Sequence, residues 1–187
     1  NPGDMKASAC IAGCLSCDGN AAVCVTCDKN NGYYLHSDNK CYHYTTFAAG
    51  WGAKYSTGTT NLCNDPKCFD CEADYMVCVK CKIALLFFLD TTQNPDLCIA
   101  STAIADFSGG NIVSSLVELC TVPHCKLCKA NKAVCTGCDF GSGYYLASPT
   151  SCLDKPSFAP VTGVKVADNT VAACSQPDCL ACKDNHL

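Results

Sequence analysis

Hydrophobic residues in this chain fall into short runs separated by polar, turn-forming segments, and the same order recurs three times. A six-residue polar stretch (DGNAAV at 18–23, EADYMV at 72–77, KANKAV at 129–134) ends on Val23, Val77 or Val134, just ahead of a cysteine. An apolar or aromatic run follows: Gly32-Tyr33-Tyr34-Leu35, Leu85-Leu86-Phe87-Phe88-Leu89 and Gly143-Tyr144-Tyr145-Leu146. Such runs, rich in residues that favour strands and ended by Ser, Asp, Asn or Pro, predict β-hairpins. Nowhere is there a long 3.6-residue periodicity, so helix should be scarce.

Between these blocks lie three spacers of equal length, 42–62, 99–119 and 153–173, that align without a gap. Their sixth position is Phe47, Ile104 or Phe158, the seventh Ala48, Ala105 or Ala159, the eleventh Gly52, Gly109 or Gly163, and the fourteenth Tyr55, Ile112 or Val166. A flexible linker has no reason to keep both length and apolar register. The pattern predicts an ordered spacer: a short strand, a glycine turn and a second strand, packed on a neighbouring block.

Cysteine makes the repeat explicit. The blocks follow C-x3/4-C-x2-C-x6-C-x2-C and then a sixth cysteine, at 10–41, 63–98 and 120–152, and Cys174, Cys179 and Cys182 open a fourth block. These account for all 21 cysteines. The reading is therefore a string of modules: 1–9 as the end of a preceding spacer, 10–62, 63–119 and 120–173 as repeats, and 174–187 as an incomplete fourth. By phase the chain looks like a window from a longer array, with Cys179 pairing beyond Leu187.

Composition explains why such modules need cross-links. Cysteine is about 11% of the chain, above the level that marks disulfide scaffolds. Without it the apolar share drops from 49% to roughly 38%, too little for modules of this size to hold by burial alone. Disulfides closing short loops contribute about 2–3 kcal/mol each. They belong to an oxidising compartment, which places the chain outside the cell or at its surface. The longest apolar run, Ile83 to Leu89, is too short to span a bilayer. The net charge is −4, all 13 basic residues are Lys, and there is no basic run, which argues against a nucleic-acid partner.

The cysteine pattern with its GYYL-type strand resembles the furin-like, growth-factor-receptor cysteine-rich repeat. It is also similar to tandem repeats of protist surface antigens, such as ciliate immobilisation antigens and the variable surface proteins of Giardia. The resemblance covers the cysteine blocks and not the 21-residue spacers. It implies bonds first-to-third, second-to-fourth and fifth-to-sixth. In this chain those are Cys10–Cys17, Cys14–Cys24, Cys27–Cys41, Cys63–Cys71, Cys68–Cys78, Cys81–Cys98, Cys120–Cys128, Cys125–Cys135, Cys138–Cys152 and Cys174–Cys182. Spacing alone leaves 15 pairings open for each block of six.

Two sharper chemistries compete with disulfides. Paired CxxC motifs could hold zinc through four thiolates, but that leaves the first and sixth cysteines of each block as a distant extra pair. Redox CxxC motifs sit singly at helix starts in a βαβ context, which is absent here. His36, His43, His124 and His186 occupy unrelated repeat positions and read as surface residues. Asp139-Phe140-Gly141 stands without any other kinase element, and Asp70 and Glu72 beside Cys71 read as a solvated turn. Tyr33, Tyr34, Tyr144, Tyr145 and Trp51 could form a carbohydrate platform. Covering the disulfides and the joints between repeats is the simpler role. There is no N-x-S/T sequon, while Thr45-Thr46, Thr59-Thr60 and Ser114-Ser115 could carry O-glycans.

The sequence thus predicts a small disulfide-rich fold: tandem β-hairpin, cysteine-knot-like repeats forming an elongated rod with little helix. No catalytic, cofactor or metal site is expected. The expected partners are neighbouring repeats or copies of the same chain, and glycans. The expected function is structural, a coat or fibre component of a microbial eukaryote. The alternative is an adhesin or receptor stalk binding a protein or glycan, which predicts one repeat with an aberrant aromatic or charged patch.

Overall fold

The structure is a computed structural model that describes residues 9–17, 19–93, 96–176 and 182–184. These residues form short strands and six 3₁₀ turns, with no α-helix among them. The chain divides into two compact units. One holds the described residues up to Lys82 together with those of 92–98, and the other holds 83–91 and those from Ile99 onward. The division falls between Lys82 and Ile83, inside the second cysteine block, and away from the repeat boundaries at 62/63 and 119/120.

In the first unit the opening block is a hairpin of β1 (Cys14–Cys17) and β2 (Cys24–Cys27) with Cys14 opposite Cys27. After a 3₁₀ turn at Lys29–Asn31 come β3 (Tyr33–Leu35) and β4 (Cys41–His43), then β5 (Trp51–Lys54) and β6 (Thr59–Leu62). These four make one sheet in the order β4-β3-β6-β5. The contact between hairpins is a parallel pairing of Leu35 with Thr59. The next block opens with β7 (Cys68–Asp70) and β8 (Lys80–Cys81), again with its second and fifth cysteines opposed.

The second unit repeats these parts. Its strands are β9 (Phe87–Asp90), β10 (Leu97–Ala100, entering from Ile99), β11 (Ser108–Gly110), β12 (Val117–Leu119), β13 (Cys125–Leu127) and β14 (Gly137–Cys138). They continue with β15 (Tyr144–Ser148), β16 (Ser151–Asp154), β17 (Thr162–Lys165) and β18 (Thr170–Ala173). The last four form a sheet in the order β16-β15-β18-β17, joined by a parallel pairing of Leu146 with Thr170. A single bridge, Leu89 to Leu116, holds the equivalent place between β9 and β12. All three joins use one hydrogen bond of the same kind: the Leu35, Leu89 or Leu146 amide donates to the carbonyl of Gly58, Ser115 or Asn169.

The spacers are ordered hairpins, but their shared glycine is not at the turn. Gly52, Gly109 and Gly163 lie inside the first spacer strand. The turn comes later, and its left-handed residue is Gly58, Ser115 or Asn169. The reason for the shared glycine is close approach. A Cβ there would stand 2.3, 2.0 or 1.9 Å from the carbonyl oxygen of Cys71, Cys128 or Cys182, and 2.6–2.7 Å from the same cysteine's sulfur. Each spacer strand lies flat on the first-to-third disulfide of the following block, which only glycine permits. This packing ties a spacer to the block after it, while the Leu35, Leu89 or Leu146 amide ties it to the hairpin before it.

Two kinds of small core result. Inside the blocks, cysteine sulfur supplies most of the buried surface, as in the cluster of Cys125, Cys128 and Cys135 with Val122. Under the first and third spacer sheets an aromatic ring, Tyr34 or Tyr145, is buried against the sixth spacer residue. In the third copy Tyr145, Phe158 and Val164 form this core, with Leu153 and Val171 packed on it. In the second copy a Cβ on Gly110 would meet the Phe88 ring at 2.2 Å, so the absent side chain makes room for a fully buried Phe.

Candidate functional site

The ten disulfides join Cys10 to Cys17, Cys14 to Cys24, Cys27 to Cys41, Cys63 to Cys71, Cys68 to Cys78 and Cys81 to Cys98, and continue with Cys120 to Cys128, Cys125 to Cys135, Cys138 to Cys152 and Cys174 to Cys182. Cys179 lies outside the described residues. In each complete block the second-to-fourth bridge touches the fifth-to-sixth bridge. The Sγ distances are 3.1 Å for Cys24 and Cys41, 3.4 Å for Cys78 and Cys98, and 3.5 Å for Cys135 and Cys152. Three sulfurs therefore converge in every block, at Cys14, Cys24 and Cys41, at Cys68, Cys78 and Cys98, and at Cys135, Cys138 and Cys152. As disulfides these sulfurs carry no thiolate with which to bind zinc.

The joint between spacer and following block is made mainly of backbone. In the first unit the Gly50 amide donates to Phe69, Ala53 to Glu72 and Tyr75 to Ala53. In the second, Phe107 donates to Lys126, Gly110 to Lys129 and Lys132 to Gly110. Backbone bonds tolerate sequence change, so the joint can be the same while its side chains differ. The second joint adds charge: Lys132 pairs with Glu118, and Asp106 lies 3.7 and 3.9 Å from Lys126 and Lys129. The Glu118 carboxyl is lowered to about 2 by hydrogen bonds from Lys132, Asn111 and Ser114.

The first spacer sheet carries an open cleft with a volume of about 300 Å³, lined by His36, Asp38, Tyr42, Thr46, Phe47, Ala48, Trp51 and Thr60. The period-2 pleat places Tyr42 of β4, Thr60 of β6 and Trp51 of β5 on one face, with His36 just past the end of β3. His36 meets Trp51 and Tyr42 edge-on, with ring centroids 4.7 and 5.6 Å apart, and its Nδ1 lies 2.8 Å from the Thr60 hydroxyl. The Tyr42 hydroxyl donates to Asp38 at 2.8 Å, and the Lys40 amide donates to the other Asp38 oxygen at 3.1 Å. Desolvation pushes the Asp38 carboxyl up, but the hydrogen bonds from Tyr42 and Lys40 and the nearby basic groups outweigh it and hold it below the ordinary value.

The candidate residues from the sequence separate here. Tyr34 and Tyr145 are buried in their sheet cores, edge-on to Phe47 and Phe158. Tyr33 covers Gly13, where a Cβ would stand 2.2 Å from its ring, and Tyr144 stacks on the exposed His124 at 3.6 Å. Of the five aromatics only Trp51 lines the cleft. His36 is half-buried between Trp51 and Tyr42, where it lines the open cleft. His43 is also half-buried, beside Tyr33 and Tyr44. His186 lies outside the described residues.

Val23, Val77 and Val134 are exposed, as are Tyr55, Ile112 and Val166, so neither fixed apolar position belongs to a core. Asp70 ends β7 and accepts the Glu72 amide, and both are half-buried. Asp139 caps a 3₁₀ turn over Phe140–Ser142. Of the O-glycan candidates, Ser115 is buried and closed to modification.

No protein-family model matches this chain, and no curated protein or solved structure is significantly similar to it. No helix among the described residues is long and apolar enough to cross a membrane. Disulfide stabilisation and the strand-rich repeat are what the geometry establishes. Asp38, Thr46 and Phe47 were missed by sequence reasoning as parts of one site. A signal existed: at the repeat positions of His36, Tyr42 and Trp51 the third copy has Ala147, Leu153 and Thr162.

Proposed function

We propose that this protein is an extracellular structural repeat protein, a component of a surface coat or fibre in a microbial eukaryote, of the furin-like cysteine-rich kind that its blocks resemble. One observation carries the reading. Each of the three spacers lays a glycine on the first-to-third disulfide of the block after it, so the chain is continuous ordered structure across those joints. Much of the chain lies in turns between short strands, and disulfides close those loops against proteases. Such a build serves durability better than catalysis.

The test is antibody labelling of intact and permeabilised cells of the source organism, with thiol titration of the native protein. Labelling of intact cells, with the block cysteines closed to alkylation until reduced, is the expected result. Labelling only after permeabilisation, with free block thiols, would overturn it. A second reading, an adhesin or receptor stalk, is favoured by the cleft on the first spacer sheet, where the repeat departs from itself.

A further inference from the structure

We propose that the cleft between His36, Tyr42 and Trp51 binds a neutral sugar residue of a glycan. The inference deepens the adhesin reading, and it is independent of whether the chain also builds a coat.

The third copy has aliphatic residues on the equivalent face. There Leu153, Val171, Val164 and Phe158 close over Tyr145 as an apolar core. In the first copy Tyr42 replaces Leu153, Thr60 replaces Val171, Ala53 replaces Val164, His36 replaces Ala147, and Trp51 replaces Thr162. Three aliphatic side chains are lost, and the rings of His36, Tyr42 and Trp51 join Phe47 around the space. Where the third copy is apolar, the first carries an open cleft whose walls are aromatic and whose rim is polar. Nothing in the folding of the sheet needs this change, because the third copy forms the same four-stranded order without it.

The lining selects the ligand class. No lysine borders the cleft and Asp38 is held in its charged form, so an anion is disfavoured. The Asp38 carboxylate already accepts bonds from Tyr42 and Lys40, one on each oxygen, and each oxygen keeps acceptor capacity for a further hydroxyl. The Thr46 hydroxyl donates to the His43 carbonyl at 2.8 Å and can still accept. A quaternary ammonium ion could use the rings and the carboxylate, but it has no N–H for the acceptor capacity that Thr46 and Thr60 keep beyond their bonds to the His43 carbonyl and to His36. A sugar ring uses both sets: its C–H face packs on indole and phenol, and its hydroxyls bond to the rim. The volume is at the small end for ligand sites, enough for one ring of a longer chain.

Trp51 is the chain's single tryptophan, so its fluorescence reports on this cleft alone. The whole chain is titrated with glucose, galactose, mannose and N-acetylglucosamine, with choline as the cationic comparison. The double variant Tyr42→Leu with Thr60→Val installs the residues that pack on the third copy's sheet. Its oxidised mass and circular dichroism establish that it folds.

The proposal expects a saturable Trp51 response to at least one neutral sugar in the millimolar range, weakened about tenfold or more in the folded double variant and in Asp38→Asn. A response to choline and to none of the sugars overturns it in favour of a cation site. So does the absence of any sugar response up to about 100 mM, or a sugar response unchanged in the double variant. Failure of these titrations leaves surface labelling of cells untouched, so the two readings fail separately.

Discussion

Three backbone positions hold a left-handed residue in every copy, although the residues differ. They are Gly32, Leu86 and Gly143 at φ 80°, 57° and 85°; Gly50, Phe107 and Val161 at 84°, 63° and 60°; and Gly58, Ser115 and Asn169 at 71°, 62° and 57°. Only glycine, and to a lesser degree asparagine, takes this conformation without steric cost. The sequence reveals these turns where glycine or asparagine stands in them and hides them at Leu86, Phe107 and Val161, whose side chains favour other conformations. Ser115 bears two costs, because it is buried and its hydroxyl has no hydrogen-bond partner among the described residues. Ser115→Gly should therefore stabilise the protein by about 1 kcal/mol, the relief of strain and of a buried hydroxyl exceeding the added chain entropy. Denaturant unfolding checks it, and a loss of stability would refute the strain argument. The shared spacer glycines behave oppositely. Gly109→Ala must push a methyl against Cys128, and a loss of about 1–3 kcal/mol is expected in the same measurement.

At the scale of elements, the hairpins after the fifth cysteines and the ordered spacers were legible because strand-favouring runs and constant length have direct physical meaning. The docking of each spacer on the next block was legible only as some packing, since backbone hydrogen bonds leave no mark in residue type. The pairing of cysteines entered with the family resemblance and not from spacing. In the second copy the joint carries a titratable lock, Glu118 with Lys132. The folded carboxyl sits at about 2 against an ordinary value of 4.5, so its contribution is present above the ordinary value and fades as pH falls toward 2. Stability should fall across that window, and Glu118→Gln should lower stability at neutral pH while flattening the acid limb. Unfolding curves at a series of pH values test this; an unchanged acid limb would count against the lock. The disulfide beneath the same joint gives a larger effect. Replacing Cys120 and Cys128 together by serine should remove about 2–3 kcal/mol through the unfolded chain's regained freedom.

Across the whole molecule, the core is the decisive quantity. Among the described residues, ten of the nineteen buried apolar ones are half-cystines, so oxidation supplies both the cross-links and the material that is buried. Reduction therefore does more than loosen loops. It turns the block interiors into pairs of thiols that no longer hold their spacing, while each sheet keeps only one ring and a few aliphatic neighbours. Among the described residues twenty cysteines are paired. These twenty should stay closed to alkylation until the chain is reduced, and mass spectrometry before and after reduction checks it. Circular dichroism followed during reduction should show strand signal lost together with the bonds, since neither kind of core is large enough to persist alone. Retention of the native spectrum after full reduction would mean that the spacer sheets fold by their own burial, and the disulfides would then be reinforcement added to a stable fold.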